Sequence, residues 1–208
     1  MTVRYSVVKW LDAVSNPCSL SVSRDGQVLL VDDSGQLSIY TGRGDSDAPD
    51  DGELTAVIPL RDIGLDAPWQ AVETSAGTWI ICHGNEYSQF NGVTELLRDG
   101  RQRDSYGSEY GHRPDQLASP WRVALAGMDD NDVFTADTDN NRVVVFARRP
   151  SLKLKRVLVS EPSHGEDGWP TCLCYVAASG RLLVGMGWEA DNGADGRSTG
   201  FLDVYVVR

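Results

Sequence analysis

Four proline-led tetrapeptides, Pro17-Cys18-Ser19-Leu20, Pro68-Trp69-Gln70-Ala71, Pro120-Trp121-Arg122-Val123 and Pro170-Thr171-Cys172-Leu173, recur at separations of 51, 52 and 50 residues. So regular a beat is the mark of a repeat architecture, in which one supersecondary unit is copied along the chain. After each proline comes a short alternating or apolar run and then a turn signal: Asp25-Gly26, Ala76-Gly77, Asp130-Asn131 and Ser179-Gly180. A second, more hydrophobic run follows each turn, over Val28 to Val31, Thr78 to Cys82, Asp132 to Ala136 and Arg181 to Gly185. Short runs of this kind, punctuated by Gly, Asp and Asn, read as antiparallel hairpins.

Third runs stand at Leu37 to Tyr40, Tyr87 to Phe90, Arg142 to Phe146 and Phe201 to Val207, and fourth runs at Leu54 to Leu60, Arg103 to Gly107 and Leu152 to Val159. The fourth unit has no such run after its third. Arg4 to Leu11 precedes the first proline just as the other fourth runs precede theirs, so this N-terminal strand is expected to complete the last sheet. No stretch shows a sustained i, i+3, i+4, i+7 apolar stripe, and 21 glycines with nine prolines suit a turn-rich chain. The expected fold is therefore all-β: a β-propeller of four four-stranded antiparallel blades, forming one domain over residues 1–208. Gly42 to Gly52 and Gly187 to Gly200 are read as loops.

The wider composition agrees with a globular chain that needs no staple. Of 208 residues, 41% are hydrophobic and 24% charged, enough for a core without metal or disulfides. Apolar runs such as Val143 to Phe146 fall well short of the ~20 residues of a membrane span, and Met1 to Tyr5 carries no secretory apolar stretch. A cytoplasmic protein with no membrane partner is expected. The 19 basic and 30 acidic residues leave a net charge of −11, which opposes a strong generic grip on phosphate backbones. The four cysteines, Cys18, Cys82, Cys172 and Cys174, are read as small buried hydrophobes. A zinc site would need a second cysteine pair with His83, His112 or His164 close by, and the spacing offers none. No base is positioned to activate any of the thiols.

The third unit carries the most distinctive text: Gln116-Leu117-Ala118-Ser119-Pro120-Trp121, then Val133-Phe134-Thr135-Ala136-Asp137-Thr138-Asp139-Asn140-Asn141-Arg142-Val143. It resembles the NHL repeat, which runs from a Gly-rich lead through Leu-x-x-Pro to an Ala-Asp-x-x-Asn-x-Arg finish. The second unit, with Pro68-Trp69 and Ile80-Ile81-Cys82-His83, is similar to blades of the propellers at the C-termini of tripartite-motif-like proteins. The first and fourth units depart from the pattern. The resemblance implies a propeller of usually about six blades, so four units imply either a self-closed disc or two copies joined in a larger ring, a monomer or a homodimer.

The resemblance also implies that Asp137, Asn140 and Arg142 are structural, with the two carbonyl-bearing side chains bonding backbone across the turn and the arginine pairing with an acid. Asp137-x-Asp139-Asn140 lacks the bidentate Glu and the Gly of an EF-hand loop, so no metal and no cofactor is expected. Strand order puts the loops between second and third strands, and those leading into each proline, on one end of the disc. That end would gather an acidic rim including Asp12, Asp32, Asp33, Asp62, Asp66, Glu86, Asp115, Asp137, Asp139, Glu161, Glu166, Asp167, Glu189, Asp191 and Asp195, against Arg61, Arg113 and Arg197. Trp69, Trp121 and Trp188 fall near the same end, while Trp10 and Trp169 lie at unit junctions. Candidate binding residues are Trp69, His83, Trp121, Asp137, Arg142 and Trp188; catalytic residues, none. The rim is read first as a solvated surface that keeps the disc soluble, with a negative field that steers basic partners as the functional alternative; the expected role is a non-catalytic scaffold that binds a protein or peptide on the loop-rich face. The alternatives are a single-stranded RNA-binding propeller, for which Arg148, Arg149, Lys153, Lys155 and Arg156 form the basic cluster, and a metal-dependent hydrolase or lyase. Arg43-Gly44-Asp45 matches an integrin-binding tripeptide and is read as coincidence.

Overall fold

Proline's fixed φ and missing N–H suit the first residue of a strand, and each repeated proline stands at or beside a strand start. The computed structural model describes residues 16–41, 53–127, 129–159, 168–188 and 199–206, with the side chains of 159, 188 and 199–206 outside the description. The first sheet holds β1 (Pro17–Val22), β2 (Val28–Asp32), β3 (Gln36–Thr41) and β4 (Glu53–Pro59). The second holds β5 (Pro68–Glu73), β6 (Trp79–His83), β7 (Asn91–Leu96) and β8 (Gln102–Ser108). The third holds β9 (Pro120–Ala126), β10 (Asp132–Asp137), β11 (Arg142–Ala147) and β12 (Lys153–Val159). The fourth holds β13 (Trp169–Val176), β14 (Arg181–Trp188) and β15 (Thr199–Val206). Every sheet is an antiparallel meander in chain order. The chain is thus an all-β molecule with propeller-blade architecture. The strand expected at Arg4 to Leu11, with Trp10 and Asp12, lies outside the described residues.

One expected strand is misplaced. Tyr87 to Phe90 is a loop, and the third strand of the second sheet is Asn91–Leu96. Asn85 explains the difference: its Oδ1 accepts the Tyr87 N–H at 3.0 Å and the Ser88 hydroxyl at 3.0 Å, folding the chain back locally. The buried run that follows, from Asn91 to Leu96, then takes the ladder.

The four units share a finer feature. Each proline pairs with the last or near-last residue of the neighbouring strand, Pro17 with Asp32, Pro68 with His83, Pro120 with Asp137 and Pro170 with Met186, and the register slips immediately afterwards. The bulged residue is Cys18, Trp69, Trp121 or Thr171. A bulge bends its strand and re-aims a side chain, so two tryptophans are turned by the same device in successive sheets.

The strands that open each unit touch in succession, β1 to β5, β5 to β9 and β9 to β13, and form the inner edge of the stack. Hydrogen bonds stitch them: Ser21 Oγ donates to the Ala71 carbonyl at 2.6 Å, and Val123 N–H to Gln70 Oε1 at 2.9 Å. Three apolar seams lie between consecutive sheets. Leu29, Val31, Leu37 and Ile39 meet Ala71, Trp79, Ile81 and Leu96 in the first. Ile80, Cys82 and Val93 meet Val123, Val133, Val144 and Phe146 in the second. Phe134, Val143 and Val145 meet Leu182, Val184 and Met186 in the third. Strand alternation thus gives the middle sheets two apolar faces each.

The end sheets differ. Leu20 and Val22 of β1 and Leu54 and Val57 of β4 fall on one face of the first sheet by register, opposite the first seam, and are 44–64% exposed. Among the described residues no core cluster joins the first sheet to the fourth. Cys172 and Cys174, expected to be buried, are exposed on the fourth sheet, because their strand positions alternate with Leu173 and Tyr175, which take the seam. Only Cys82 is fully buried, and burial pushes its thiol up to about 12.

Candidate functional site

The loops at the proline-bearing end are locked together by the Asp137 turn. Asp137 is fully buried; its Oδ1 accepts the Ala118 N–H at 2.6 Å, and its Oδ2 accepts Asn140 Nδ2 at 2.8 Å and Arg142 Nε at 2.6 Å. Burial pushes this carboxyl above its ordinary value, while those three donors pull against the rise. Arg142 Nη2 reaches on to the carbonyls of Gln116 at 2.6 Å and Arg113 at 3.1 Å. The three residues therefore tie the loop before Pro120 to the turn after β10. Their bonds are internal: Asp137 and Arg142 hold the end of the blade in shape.

Two other prolines face equivalent polar residues. Asp32, 4% exposed, accepts the Gln36 N–H at 3.1 Å and the Ser34 hydroxyl at 2.5 Å through Oδ1. His83 is 1% exposed, bonds Thr94 Oγ1 through Nε2 at 2.9 Å and stacks on Phe90 with centroids 5.5 Å apart. Desolvation pushes it down to about 4, so it is neutral at physiological pH. A buried, neutral ring explains its place in the sheet and separates it from any surface site. Asp32 and Asp137 likewise leave the acidic rim, whereas Asp62, Asp66, Glu86, Asp115 and Asp139 remain exposed on it. Asp12, Glu161, Glu166, Asp167, Glu189, Asp191, Asp195, Arg197, His164 and the Arg43-Gly44-Asp45 tripeptide lie outside the described residues.

The bulges bring Trp69 and Trp121 together. Their ring centroids are 5.3 Å apart at an interplanar angle of 41°, both half-buried, and Trp69 Nε1 donates to the Gly84 carbonyl at 3.0 Å. Trp121 also walls a cleft of about 290 Å³ completed by Thr138, Asp139, Asn141 and Trp169. Trp169 stands at a unit junction and is not among the expected binding residues. It occupies the place before the repeated proline where Asn16, Ala67 and Ser119 adopt left-handed φ of 31°, 43° and 50°. A large aromatic where the other units carry small or polar residues was the available signal. Thr138 Oγ1 donates to the Pro170 carbonyl at 2.9 Å and fixes the two walls to each other. Trp188 lies at the end of β14, with its side chain outside the described residues.

The charge at the cleft is uncompensated. Asp139 Oδ2 accepts the Ser119 hydroxyl at 2.5 Å and the Tyr110 hydroxyl at 3.2 Å, and among the described residues no cation pairs with it. Tyr110 is raised, by desolvation first and then by the Asp139 charge. The basic cluster lies elsewhere, and two carboxylates answer part of its charge. Arg148, 2% exposed, meets Glu95 at 3.2 Å; Arg149 is 3.7 Å from the same carboxylate; Lys155 holds Asp132 at 2.8 Å. Among the described residues no group of three or more His, Cys, Asp or Glu side chains is placed to hold a metal ion.

Residues 117–146 match the model of the NHL repeat, which takes in the Asp137 turn and Trp121. Among solved structures the chain is similar to the β-propeller domain of Cps50 (Swd1) from Myceliophteria thermophila, at 11% identity over 92% of this chain and 54% of that one, with a TM-score of 0.55. It also aligns with a protein of unknown function from Bacteroides caccae at 13% identity, over 81% of this chain and 69% of that one, with a TM-score of 0.43. No curated protein matches. The chain spans about half the length of the Swd1 domain, and that likeness speaks for the fold alone. The repeat match and the propeller fold together support an NHL-type propeller.

Proposed function

We propose that this chain is a non-catalytic protein-binding module, working in the cytoplasm, that takes a peptide or protein segment of basic character on its proline-bearing end. The observation that carries the reading is the aromatic floor there: Trp69 and Trp121, aimed by equivalent bulges, continue into the cleft shared with Trp169. Tryptophan offers large amphipathic contact area at small entropic cost and dominates many binding sites. The turns around it are pinned by buried hydrogen bonds, so little ordering is needed when a partner docks. The NHL-type propeller fold is consistent with a scaffold role, and the likeness to tripartite-motif propellers belongs to this proposal.

A displayed peptide library provides the test. Sequences enriched on the natural chain should be rich in Lys and Arg and should lose binding at least tenfold on Trp69→Ala/Trp121→Ala. Enrichment that survives the double substitution, or no enrichment, overturns the reading. In a parallel filter-binding titration single-stranded RNA should not be retained at low salt; salt-sensitive retention would favour the RNA-binding alternative instead.

A further inference from the structure

We propose that the cleft between Trp121 and Trp169 receives an arginine side chain of the bound segment, with the guanidinium against the indoles and its N–H edge toward Asp139. The inference rests on the peptide-binding reading above and goes beyond it by naming the side chain that the site selects.

Three features select that chemistry. Two indoles on the wall of one cleft favour a cation, because the negative faces of aromatic rings attract it and tryptophan does so most strongly. The acid at the rim is the second. Asp139 spends Oδ2 on two neutral hydroxyls, and among the described residues Oδ1 has no hydrogen-bond partner and no cation answers the charge. An apolar side chain entering the cleft would desolvate that carboxylate without compensation, and an acidic one would be repelled. The third is the mixture of surfaces. Aromatic walls with carboxylate and amide acceptors at the edge, from Asp139 and Asn141, suit a planar group that stacks on its faces and donates from its rim. A lysine ammonium is a compact, strongly hydrated charge that gives up more water to enter, and a quaternary ammonium has no N–H for the acceptors.

The walls are built before the ligand arrives. Asp139 N–H donates to the Ala118 carbonyl at 3.2 Å, Asn141 N–H to the Thr138 carbonyl at 3.0 Å, and Thr138 Oγ1 to the Pro170 carbonyl at 2.9 Å. The loop bearing the acid and the strand bearing Trp169 are therefore held in one frame. Trp121 packs against Trp69, with ring centroids 5.3 Å apart.

The probes are the blocked pentapeptide Gly-Gly-Arg-Gly-Gly and its citrulline and lysine counterparts, titrated into the whole ¹⁵N-labelled chain while the indole N–H signals of Trp121 and Trp169 are followed. The arginine peptide should move both signals, bind about tenfold more tightly than the isosteric but neutral citrulline peptide, and bind a few-fold more tightly than lysine. Asp139→Asn should weaken the arginine peptide about fivefold and leave the citrulline peptide unchanged. Trp169→Phe, which keeps a ring in place, should weaken arginine a few-fold without altering the rest of the spectrum. Equal affinity for citrulline, indifference to Asp139→Asn, or no movement of the two indole signals would each overturn the arginine assignment. Library peptides that still need Trp69 and Trp121 under those results would leave the peptide-binding reading standing, so the two failures are distinguishable.

Discussion

His83 should make the stability of the fold fall with acid in a defined window. The ring is neutral in the folded chain because burial pushes it down to about 4, while an unfolded histidine titrates near 6.5. Above about pH 7 both states are neutral and the residue contributes no pH dependence. As the pH falls from about 6.5 to about 4, the unfolded chain binds a proton that the folded chain refuses, and stability is lost throughout that interval. A separation of roughly 2.5 pKa units at 1.36 kcal/mol each gives a loss of about 3 kcal/mol, complete below about pH 4. For a chain of this length that is a lowering of the melting temperature by roughly 6–12 °C. Carboxylates titrate in the same range, so the measurement is a difference. Urea unfolding followed by tryptophan fluorescence, at several pH values from about 7.5 to 4, is compared between the natural chain and His83→Gln. The glutamine amide can reach Thr94 Oγ1 as the imidazole Nε2 does at 2.9 Å, but it does not titrate. The natural chain should lose about 3 kcal/mol more than the variant across the window. Parallel stability curves would refute the account, as would an imidazole NMR titration with a midpoint near 6.5.

Four further outcomes follow from the packing. Arg148→Met should destabilise by about 2–4 kcal/mol in urea unfolding, since the buried Glu95 keeps its hydrogen bond from the Thr78 hydroxyl at 2.6 Å but, among cations, only the longer approaches of Arg103 at 3.5 Å and Arg149 at 3.7 Å; Glu95→Leu/Arg148→Met should recover part of the loss. Asp137→Ala should cost about 3–5 kcal/mol by stranding the Ala118 N–H and the Arg142 guanidinium, with Asp139→Ala, at an exposed position, costing about 1 kcal/mol or less in the same calorimetric comparison. Gly107→Ala should destabilise by more than about 1 kcal/mol, read as a shifted urea midpoint, because φ is +144° and a Cβ would overlap the Asn91 carbonyl. Thiol titration with an aromatic disulfide should modify Cys172 and Cys174 within seconds to minutes, while Cys82 reacts only on unfolding; early modification of Cys82 would contradict its burial.

The repeat was legible because it is written in backbone chemistry. Proline at a strand start and glycine, aspartate or asparagine at the hairpin turn are needed whatever the side chains beside them do, so all four units kept them. The misplaced strand at Tyr87 to Phe90 shows the limit. Its aromatic residues read as β-formers, but the Asn85 side chain bends the chain locally, and the actual strand Asn-Gly-Val-Thr-Glu-Leu hides a buried glutamate whose partner, Arg148, directly follows β11 of the next sheet. Long-range pairing of that kind leaves no local pattern. The site was half visible. Trp69 and Trp121 were singled out by type and position, and their bulge could not be read without the register. His83, Asp137 and Arg142 share a blade end with them, and their burial depends on loops folded over them. Trp169 needed the comparison with Asn16, Ala67 and Ser119, which becomes informative only once the left-handed backbone of those three is known.

Among the described residues the three apolar seams are built alike, each joining one sheet to the next. Protection against amide exchange should accordingly be high in the second and third sheets, whose described side chains pack on both faces. The same arrangement makes whole blades the natural coin of evolutionary change, since gaining or losing one alters a single junction and leaves the others as they were.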